Sequence, residues 1–333
     1  MSNPLLPPWV AQQRDSLLAQ RGHAWLLQGP SGLGQYTLAM ELVRAWLCDV
    51  PTAQGACGAC ASCHAIDVHA HADLCLLMPE AMMVELGWPL SEKAQSDIDD
   101  KKRKASKEIR VDAMRDAVEF AQRTSGRGRG KAVLVYPAER MNHITANALL
   151  KTLEEPPGDV KFVLATGAAH QLLPTIRSRC MGHNMVWPEK DVSTAWLQAQ
   201  GVPAADAPVL LAAAGSRPED ALQWARAGRT AQSWSAIPRA VGQGVLTVFA
   251  DWAPAQVVDA LQKLCHDLLL ARVGATPRFF AASDLPAAPA VAVLTQWSKD
   301  LNATARVVEH PFNAGLLLES LVGRAQNVLN SRP

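Results

Sequence analysis

Short apolar runs alternate with helical apolar stripes through the first half of the chain. Residues 24–28 ("AWLLQ") form an apolar run that ends in a glycine turn. The residues after that turn place an apolar stripe on one face of a helix: Leu38, Leu42, Val43 and Trp46. Residues 131–137 ("KAVLVYP") and 160–166 ("VKFVLAT") are continuous, β-branched-rich runs, as buried parallel strands are. The repeated strand–helix order predicts a parallel α/β domain.

A helix is predicted between the last two strands, and the second half of the chain is predicted to be helical. In "NHITANALLKTLEEPP" (142–157), Thr145 is a suitable N-cap, and Pro156 and Pro157 end the helix. From about Trp187 the segments are rich in Ala and Leu and contain no strand runs. We predict three domains: an α/β domain over 1–187, a small helical domain over 188–228 and a larger all-α domain over 229–333.

Two polar segments interrupt the α/β pattern. Residues 85–108 carry mixed charge and few apolar side chains, which predicts a solvated, mobile insertion. Its "KKRK" (101–104) could touch nucleic acid, but the adjacent "DIDD" favours a solvated face. "TSGRGRGK" (124–131) is predicted to be a flexible surface turn before a strand.

The composition is that of an ordinary globular protein. The 333 residues are 49% hydrophobic and 19% charged, with a net charge of +1, so no global positive field indicates nucleic-acid binding. The N-terminus has no basic segment followed by an apolar core, and no apolar run reaches about 18 residues. We therefore expect a cytoplasmic protein without a membrane span. In that compartment, cysteines serve more often as metal ligands, packing groups or redox thiols than as disulfides.

Four cysteines fall within sixteen residues: Cys48, Cys57, Cys60 and Cys63. This spacing can supply four thiolates to a tetrahedral Zn²⁺, and Gly55 and Gly58 permit the tight turns that ligation requires. A thioredoxin-like redox pair needs only two of them and leaves the others unexplained. An iron–sulfur cluster uses the same ligand type. Three nearby histidines could replace a cysteine: His64, His69 and His71. We favour a structural zinc site that stabilises a loop.

The stretch "GPSGLGQY" has the outline of a phosphate-binding loop, G-x-x-x-x-G-K-[ST], with two positions altered. Gly29 and Gly34 keep the spacing, but Gln35 replaces the Lys and Tyr36 replaces the hydroxyl residue. The loop therefore lacks the charge that offsets phosphate and the hydroxyl that holds Mg²⁺. We expect no ATP hydrolysis at this loop, although its helix N-terminus could still accept an anion.

Three motifs in a fixed order resemble the AAA+ subunits of bacterial sliding-clamp loaders: "ANALLKTLEEPP" (146–157), "FVLAT" (162–166) and "IRSRC" (176–180). The cysteine module after the P-loop helix is similar to one in the same group. The specific motifs cover roughly residues 26–179, and the C-terminal half matches only in length, helicity and weak fragments. The resemblance implies a degenerate AAA+ P-loop-type domain, then a small helical lid domain and an all-α collar that serves as the oligomerisation domain.

The resemblance implies that both catalytic carboxylates are missing. ATP-binding members end the strand before the "ALLKTLEEPP" helix in Asp-Glu, whereas here the strand ends in Tyr136-Pro137. Glu139 lies two residues further on and is expected to be a surface charge.

ATP-binding members also carry an Arg in a helix of the second domain that reaches the γ-phosphate. The corresponding segment here is "GSRPEDAL" (215–222), which is one residue longer. Aligned from its first residues it has Pro218 at the arginine position, and aligned from its last residues it has Glu219 there. Arg217 is the remaining arginine that could reach the γ-phosphate from this segment.

One functional arginine is retained according to the resemblance. Arg179, in "SRC", matches an arginine finger that points across a subunit interface at ATP bound by the next subunit. Arg177 is a close neighbour that could share the role. Cys180 is expected to be a buried small side chain, and Thr166, which matches a nucleotide-sensing position, is expected to be structural.

The resemblance therefore implies a clamp-loader subunit that supports ATP hydrolysis without performing it. Its implied partners form a hetero-oligomer: the γ/τ ATPase subunits and δ, and through them the sliding clamp and primer–template DNA during replication. We expect no catalysis by the isolated chain and a structural zinc as its cofactor. Two alternatives stay open, namely an active P-loop ATPase with an unusual site and a zinc or thiol redox protein.

Overall fold

The computed structural model describes residues 6–308, 310 and 312–331. The chain divides into two compact units, Met1–Pro188 and Glu189–Pro333. The first is a parallel α/β unit and the second is helical, so the predicted fold class is confirmed. The three-domain boundaries at 187 and 228 stay a prediction.

Five strands form one parallel sheet in the described part of the first unit: β1 (Ala24–Gln28), β2 (Leu74–Leu77), β3 (Lys131–Val135), β4 (Val160–Thr166) and β5 (Met181–Asn184). Their order across the sheet is β2-β3-β4-β1-β5. All of β3 is buried, as the continuous apolar run predicts. The carboxyl ends of β1, β3 and β4 therefore meet at one edge of the sheet, where open parallel sheets bind ligands.

Eight α-helices surround this sheet in the described residues: α1 (Pro8–Leu18), α2 (Gln35–Leu47), α3 (Ala61–Asp67), α4 (Glu80–Glu85), α5 (Glu92–Asp99), α6 (Val111–Gln122), α7 (His143–Glu154) and α8 (Pro174–Arg177). The predicted apolar face of α2 lies inward, with Leu38, Leu42 and Val43 fully buried. Trp46 is only half-buried and packs its ring 5.0 Å from that of Trp25. Helix α2 thus holds the loop that precedes it firmly against the sheet.

The structure differs from the sequence prediction at the N-terminus of α7. Asn142 is the N-cap, and its Oδ1 accepts a hydrogen bond of 2.9 Å from the backbone N–H of Thr145. Thr145 is fully buried inside the first turn and donates from Oγ1 to the carbonyl of Ile109. The helix ends at Glu154, just before the two prolines, as predicted.

The insertion at residues 85–108 contains ordered structure that its charge pattern did not predict. Residues Glu92–Asp99 form α5, capped by Ser91. Arg103, within the basic run, pairs with Glu80 (Nη1–Oε2, 2.5 Å) and contacts Asp97 at 3.4 Å. Trp88 is only 8% exposed. The buried ring of Trp88 and the Arg103–Glu80 ion pair therefore help to anchor the insertion to the α/β unit.

The second unit contains eight α-helices in its described residues: α9 (Lys190–Ala199), α10 (Ala207–Ala213), α11 (Pro218–Arg226), α12 (Ala231–Ser235), α13 (Ile237–Gly242), α14 (Pro254–Arg272), α15 (Val291–Val307) and α16 (Ala314–Leu329). Helix α14 runs through its core, where Leu261, Leu264 and Leu268 are fully buried. Among the helices described, none is long and apolar enough to cross a membrane.

Candidate functional site

The phosphate-loop segment is a tight turn between β1 and α2. Gly32 and Gly34 adopt left-handed conformations, with φ of 80° and 94°, which favour glycine. Between them Leu33 is fully buried, and its carbonyl accepts a 2.9 Å hydrogen bond from the indole Nε1 of Trp9 in α1. The loop keeps the glycine geometry of the motif and is fixed from outside by α1.

The side chain of Gln35 folds back into the loop. It is only 4% exposed, and its amide Nε2 donates to the carbonyls of Gly29 and Pro30 at 2.7 and 2.6 Å. Each such bond contributes about 1 kcal/mol of net stability. A neutral amide therefore satisfies the loop's own carbonyls at the position where the motif has a lysine.

Tyr36 fills the space beside the loop with an aromatic stack. Its ring lies 5.2 Å from that of Tyr136, which follows β3, at an interplanar angle of 28°. Trp88 of the insertion donates from Nε1 to the Tyr36 hydroxyl at 2.8 Å. Burial is the main reason that the pKa of Tyr36 is raised. The altered loop position and the altered strand end are thus in direct contact with each other, and Trp88 covers them.

Glu139 is half-buried rather than a free surface charge. Its carboxylate accepts hydrogen bonds from Thr166 Oγ1 at 2.7 Å and from the backbone N–H of Gly167 at 3.1 Å. Thr166, at the end of β4, is fully buried. The expectation of a surface charge was wrong because Glu139 caps the end of the neighbouring strand, where its charge is satisfied by the sheet itself.

Arg179 lies after α8 at the rim of an open groove of about 450 Å³, lined by His23, Leu153, Glu154, Ser178 and Arg179. Its Nε donates to Glu154 Oε1 at 2.5 Å, and its Nη2 pairs with the same oxygen. Its Nη1 donates to the carbonyl of Thr175 at 2.9 Å. The side chain is 30% exposed. The guanidinium is accessible from solvent but already carries a counter-ion. Arg177 is exposed nearby, and Cys180 is half-buried rather than buried.

Arg217 is engaged within the helical unit. It precedes α11, and its Nε donates to the carbonyl of Ala214 at 2.8 Å while Nη1 pairs with Asp220 Oδ2 at 3.0 Å. Pro218 and Glu219 occupy the first turn of α11. Arg217 thus donates to two acceptors within its own unit, the carbonyl of Ala214 and the carboxylate of Asp220.

The four cysteines converge on one point. Their ligand atoms lie within 4.8 Å of one another, and they form the one cluster of potential metal ligands in the part of the chain described. The Cys48–Cys60 and Cys48–Cys63 sulfur distances are 3.8 Å, and Cys57–Cys63 is 4.0 Å. Four thiolates about 2.3 Å from a tetrahedral Zn²⁺ would lie about 3.8 Å apart. The set fits a structural zinc, which would join three chain segments.

The backbone around the cluster also suits thiolate ligands. The N–H of Cys57 points at Cys48 Sγ (3.3 Å), and the N–H of Cys63 points at Cys60 Sγ (3.4 Å). Such outer contacts orient metal ligands and stabilise their charge. All four thiols share one centre, and this arrangement favours a metal over a two-cysteine redox pair.

A chain of hydrogen bonds links the cysteine module to the sheet edge. Asp49 accepts from Ser62 Oγ at 2.7 Å and from Arg127 Nη2 at 3.2 Å. The bond from the Ser62 hydroxyl is the main reason that the pKa of Asp49 is lowered to about 2. The N–H of Asp73 donates to His71 Nδ1 at 3.1 Å, so His71 carries its hydrogen on Nε2, which lies 3.2 Å from Ser62 Oγ. His71 therefore supports the module rather than ligating a metal.

The turn at 124–131 is bound rather than free. The carboxylate of Asp73, only 1% exposed, accepts from Ser125 Oγ and from the N–H groups of Gly126 and Arg127 at 2.8–2.9 Å. The turn lies at the surface, as predicted, and a buried carboxylate just before β2 organises it, which the sequence did not predict. Sequence reasoning missed Asp73 and also Trp88; a lone tryptophan in a charged segment was the signal for the latter.

Comparison with known proteins finds a family model and relatives that match the chain. A family model described as "DNA polymerase III, delta subunit" matches residues 12–186. The DNA polymerase III subunit delta' of Pseudomonas aeruginosa is 37% identical over 256 residues, which cover 76% of this chain and 64% of that protein. The subunit delta' of Escherichia coli K12 is 34% identical over 211 residues, which cover 62% of this chain and 56% of that protein. The match thus spans less than two thirds of either relative, at 64% and 56%.

A solved structure agrees with the fold. The crystal structure of a DNA polymerase III gamma subunit-related protein from Thermotoga maritima aligns with 97% of this chain and 100% of that chain, with a TM-score of 0.54 and 17% identity. At this identity, the likeness concerns the fold alone.

Proposed function

The chain belongs to the DNA polymerase III delta-subunit family, and from that membership we propose that it acts as a δ′-type clamp-loader subunit that hydrolyses no ATP itself. In this role it completes an assembly with γ/τ-type ATPase subunits and δ, which loads the sliding clamp onto primer–template DNA during replication. Its direct catalytic contribution is made in trans, by Arg179.

The observation that carries the proposal is that the chain fills its own phosphate loop. Gln35 hydrogen-bonds the loop carbonyls at 2.6–2.7 Å, and the Tyr36–Tyr136 stack lies beside it. A working site needs a lysine against the phosphates, and a hydroxyl and a carboxylate around Mg²⁺. Here a neutral amide and two aromatic rings stand at the corresponding motif positions. No contact in this region favours the alternative of an active ATPase.

Arg179 suits a role at another subunit's nucleotide. Its guanidinium is partly exposed on an open groove, and its fork of donors matches phosphate oxygens. An arginine supplied from a neighbouring protein can raise the rate at a nucleotide site by on the order of 10³ or more. In this proposal the residue is catalytic for the partner's ATP and has no substrate within its own chain.

The cysteine cluster is proposed to hold one structural zinc through Cys48, Cys57, Cys60 and Cys63. The sulfur–sulfur separations of 3.8–4.0 Å support a tetrahedral four-thiolate site. Such a closed site leaves no open coordination position for a reaction. The zinc would therefore hold α2, the cysteine loop and α3 together.

The test compares the isolated chain with the reconstituted complex. The isolated chain should show no ATP turnover, and Arg179→Ala in the complex should lower ATP hydrolysis by silencing the interface that this chain completes. Lys151→Ala, which removes an exposed positive charge from α7, is the matched control, and Arg177→Ala tests whether the neighbouring arginine shares the role. Unchanged hydrolysis in the Arg179→Ala complex, with assembly intact, would sink the proposal.

A further inference from the structure

Arg179 donates most of its hydrogen bonds to acceptors from its own chain. Nε and Nη2 both donate to Glu154 Oε1, and Nη1 donates to the Thr175 carbonyl at 2.9 Å and to Ser178 Oγ at 3.3 Å. A guanidinium has five N–H donors. Four of the five are therefore occupied before any partner arrives.

The edge of the guanidinium that Glu154 occupies is one that phosphate would use. Carboxylate and phosphate both accept two parallel N–H bonds from an arginine fork. An incoming phosphate cannot bind bidentately to Nε and Nη2 while the Glu154 carboxylate holds them. The two anions compete for one set of donors.

Glu154 is placed to release the arginine. It is the last residue of α7, and its side chain is 45% exposed while that of Arg179 is 30% exposed. Both line the same open groove. An ion pair so exposed to water is weak and sensitive to salt, so a triphosphate with several negative charges can displace a single carboxylate.

We propose that Glu154 is an internal counter-ion that holds Arg179 in a withdrawn position until a neighbouring subunit's triphosphate displaces it. This inference rests on the proposed role of Arg179 in trans. Glu154 is then a positioning residue that acts through Arg179 and does not itself touch the nucleotide. It keeps an exposed arginine from pairing with other anions before assembly.

The experiment replaces Glu154 in the full chain and measures ATP hydrolysis by the complex reconstituted with wild-type ATPase subunits. Glu154→Gln keeps the size of the side chain and removes its charge. We expect kcat/KM for ATP to rise about two- to fivefold at about 0.05 M salt, the range of an exposed ion pair. The gain should shrink at about 0.5 M salt, where such pairs are screened. Glu155→Gln, at the exposed next residue, should match wild type.

The double variant separates this inference from the proposed function. In an Arg179→Ala background, Glu154→Gln should give no gain, because the group it restrains is absent. If Arg179→Ala leaves hydrolysis unchanged, the role in trans fails. If Arg179→Ala lowers hydrolysis but Glu154→Gln leaves kcat/KM unchanged or lowers it, the role in trans stands and the counter-ion proposal is overturned. A gain that persists at high salt also overturns it.

Discussion

Gln35 and Tyr36 depart from a working phosphate loop in two different ways. Gln35 lacks the positive charge of a lysine, and its amide is committed to the carbonyls of Gly29 and Pro30. Tyr36 adds bulk where the motif has a small hydroxyl residue, and its ring packs on Tyr136. One substitution, at Gln35, can restore the positive charge of the loop. Making room for Mg²⁺ requires at least two, because the rings of Tyr36 and Tyr136 pack on each other.

We therefore expect Gln35→Lys alone to bind Mg·ATP weakly, because the aromatic stack still occupies the space beside the loop. The triple variant Gln35→Lys, Tyr36→Thr, Tyr136→Asp, which also removes the stack and supplies a metal ligand, should bind at least about tenfold more tightly than the single variant. Isothermal titration with Mg·ATP measures both. Equal affinity of the two variants would contradict the view that the aromatic stack closes the site.

At the scale of elements, the sequence predicted the order of the central strands and helices but not the strands at the two edges of the sheet. The runs at 24–28 and 160–166 became β1 and β4 because buried strands need continuous apolar residues. Strand β5, "MGHN", is a mostly exposed edge strand and carries no such run. Strand β2 has only four residues. The approach of Tyr36 to Tyr136 required tertiary structure, because a hundred residues separate them in the sequence.

The insertion at 85–108 should contribute to stability through Trp88. Trp88→Ala removes a buried ring, which typically costs about 3–5 kcal/mol, whereas Trp88→Phe loses mainly the bond to Tyr36, about 0.5–1.5 kcal/mol. Urea unfolding measures the difference. Trp187→Ala, at a ring that is 45% exposed, is the control. A cost for Trp88→Ala no larger than that of the control would mean that Trp88 does not anchor the insertion.

The support of the cysteine module by His71 predicts a pH dependence. Burial is the main reason that the pKa of His71 is lowered, although the charge of Asp73 opposes it. A lowered folded pKa means that the unfolded chain binds more protons below about pH 6.5. The contribution of His71 to stability is therefore full above about pH 6.5 and is lost as pH falls toward the folded pKa.

The test compares the free energy of unfolding at about pH 7.5 and about pH 5.5, either side of the ordinary histidine pKa. His71→Gln should show a smaller loss on acidification than wild type, and His143→Gln, at an exposed histidine, should not. The cysteine thiols are common to all three proteins, so the difference reports on His71. An equal loss in all three would contradict the prediction.

At the scale of the whole molecule, the chain is two units with separate cores. The cysteine cluster lies in Met1–Pro188, and the apolar core around α14 lies in Glu189–Pro333. Fold class was readable from sequence because the period of the apolar residues changes near residue 187. The pairing of Glu154 with Arg179 could not be predicted from the sequence, because an exposed ion pair does not change the pattern of apolar residues.

Thermal unfolding should respond separately to substitutions in the two units. Cys63→Ser should reduce bound zinc well below one per chain and lower the stability of the first unit. Leu264→Ala, at a fully buried position in α14, should cost about 2–5 kcal/mol in the second. Calorimetry with metal analysis checks both. Zinc loss in the Leu264→Ala protein under folding conditions would contradict the separation.

The hydrogen bonds that link the cysteine module to Asp73 through Ser62 and His71 have a consequence for oxidation of the protein. Strand β2 ends the sheet on one side, and such strands offer backbone groups on which other chains can aggregate. Asp73, immediately before β2, is fixed both by His71 and by the turn at 124–131. Lys131 and the backbone of β3 also hold Asp73, at 3.8 Å and 2.9 Å, so the contact through His71 is the one that depends on the cysteine module. Oxidation of the thiols would therefore weaken one support of the segment that leads into this edge strand and leave its pairing with β3 in place.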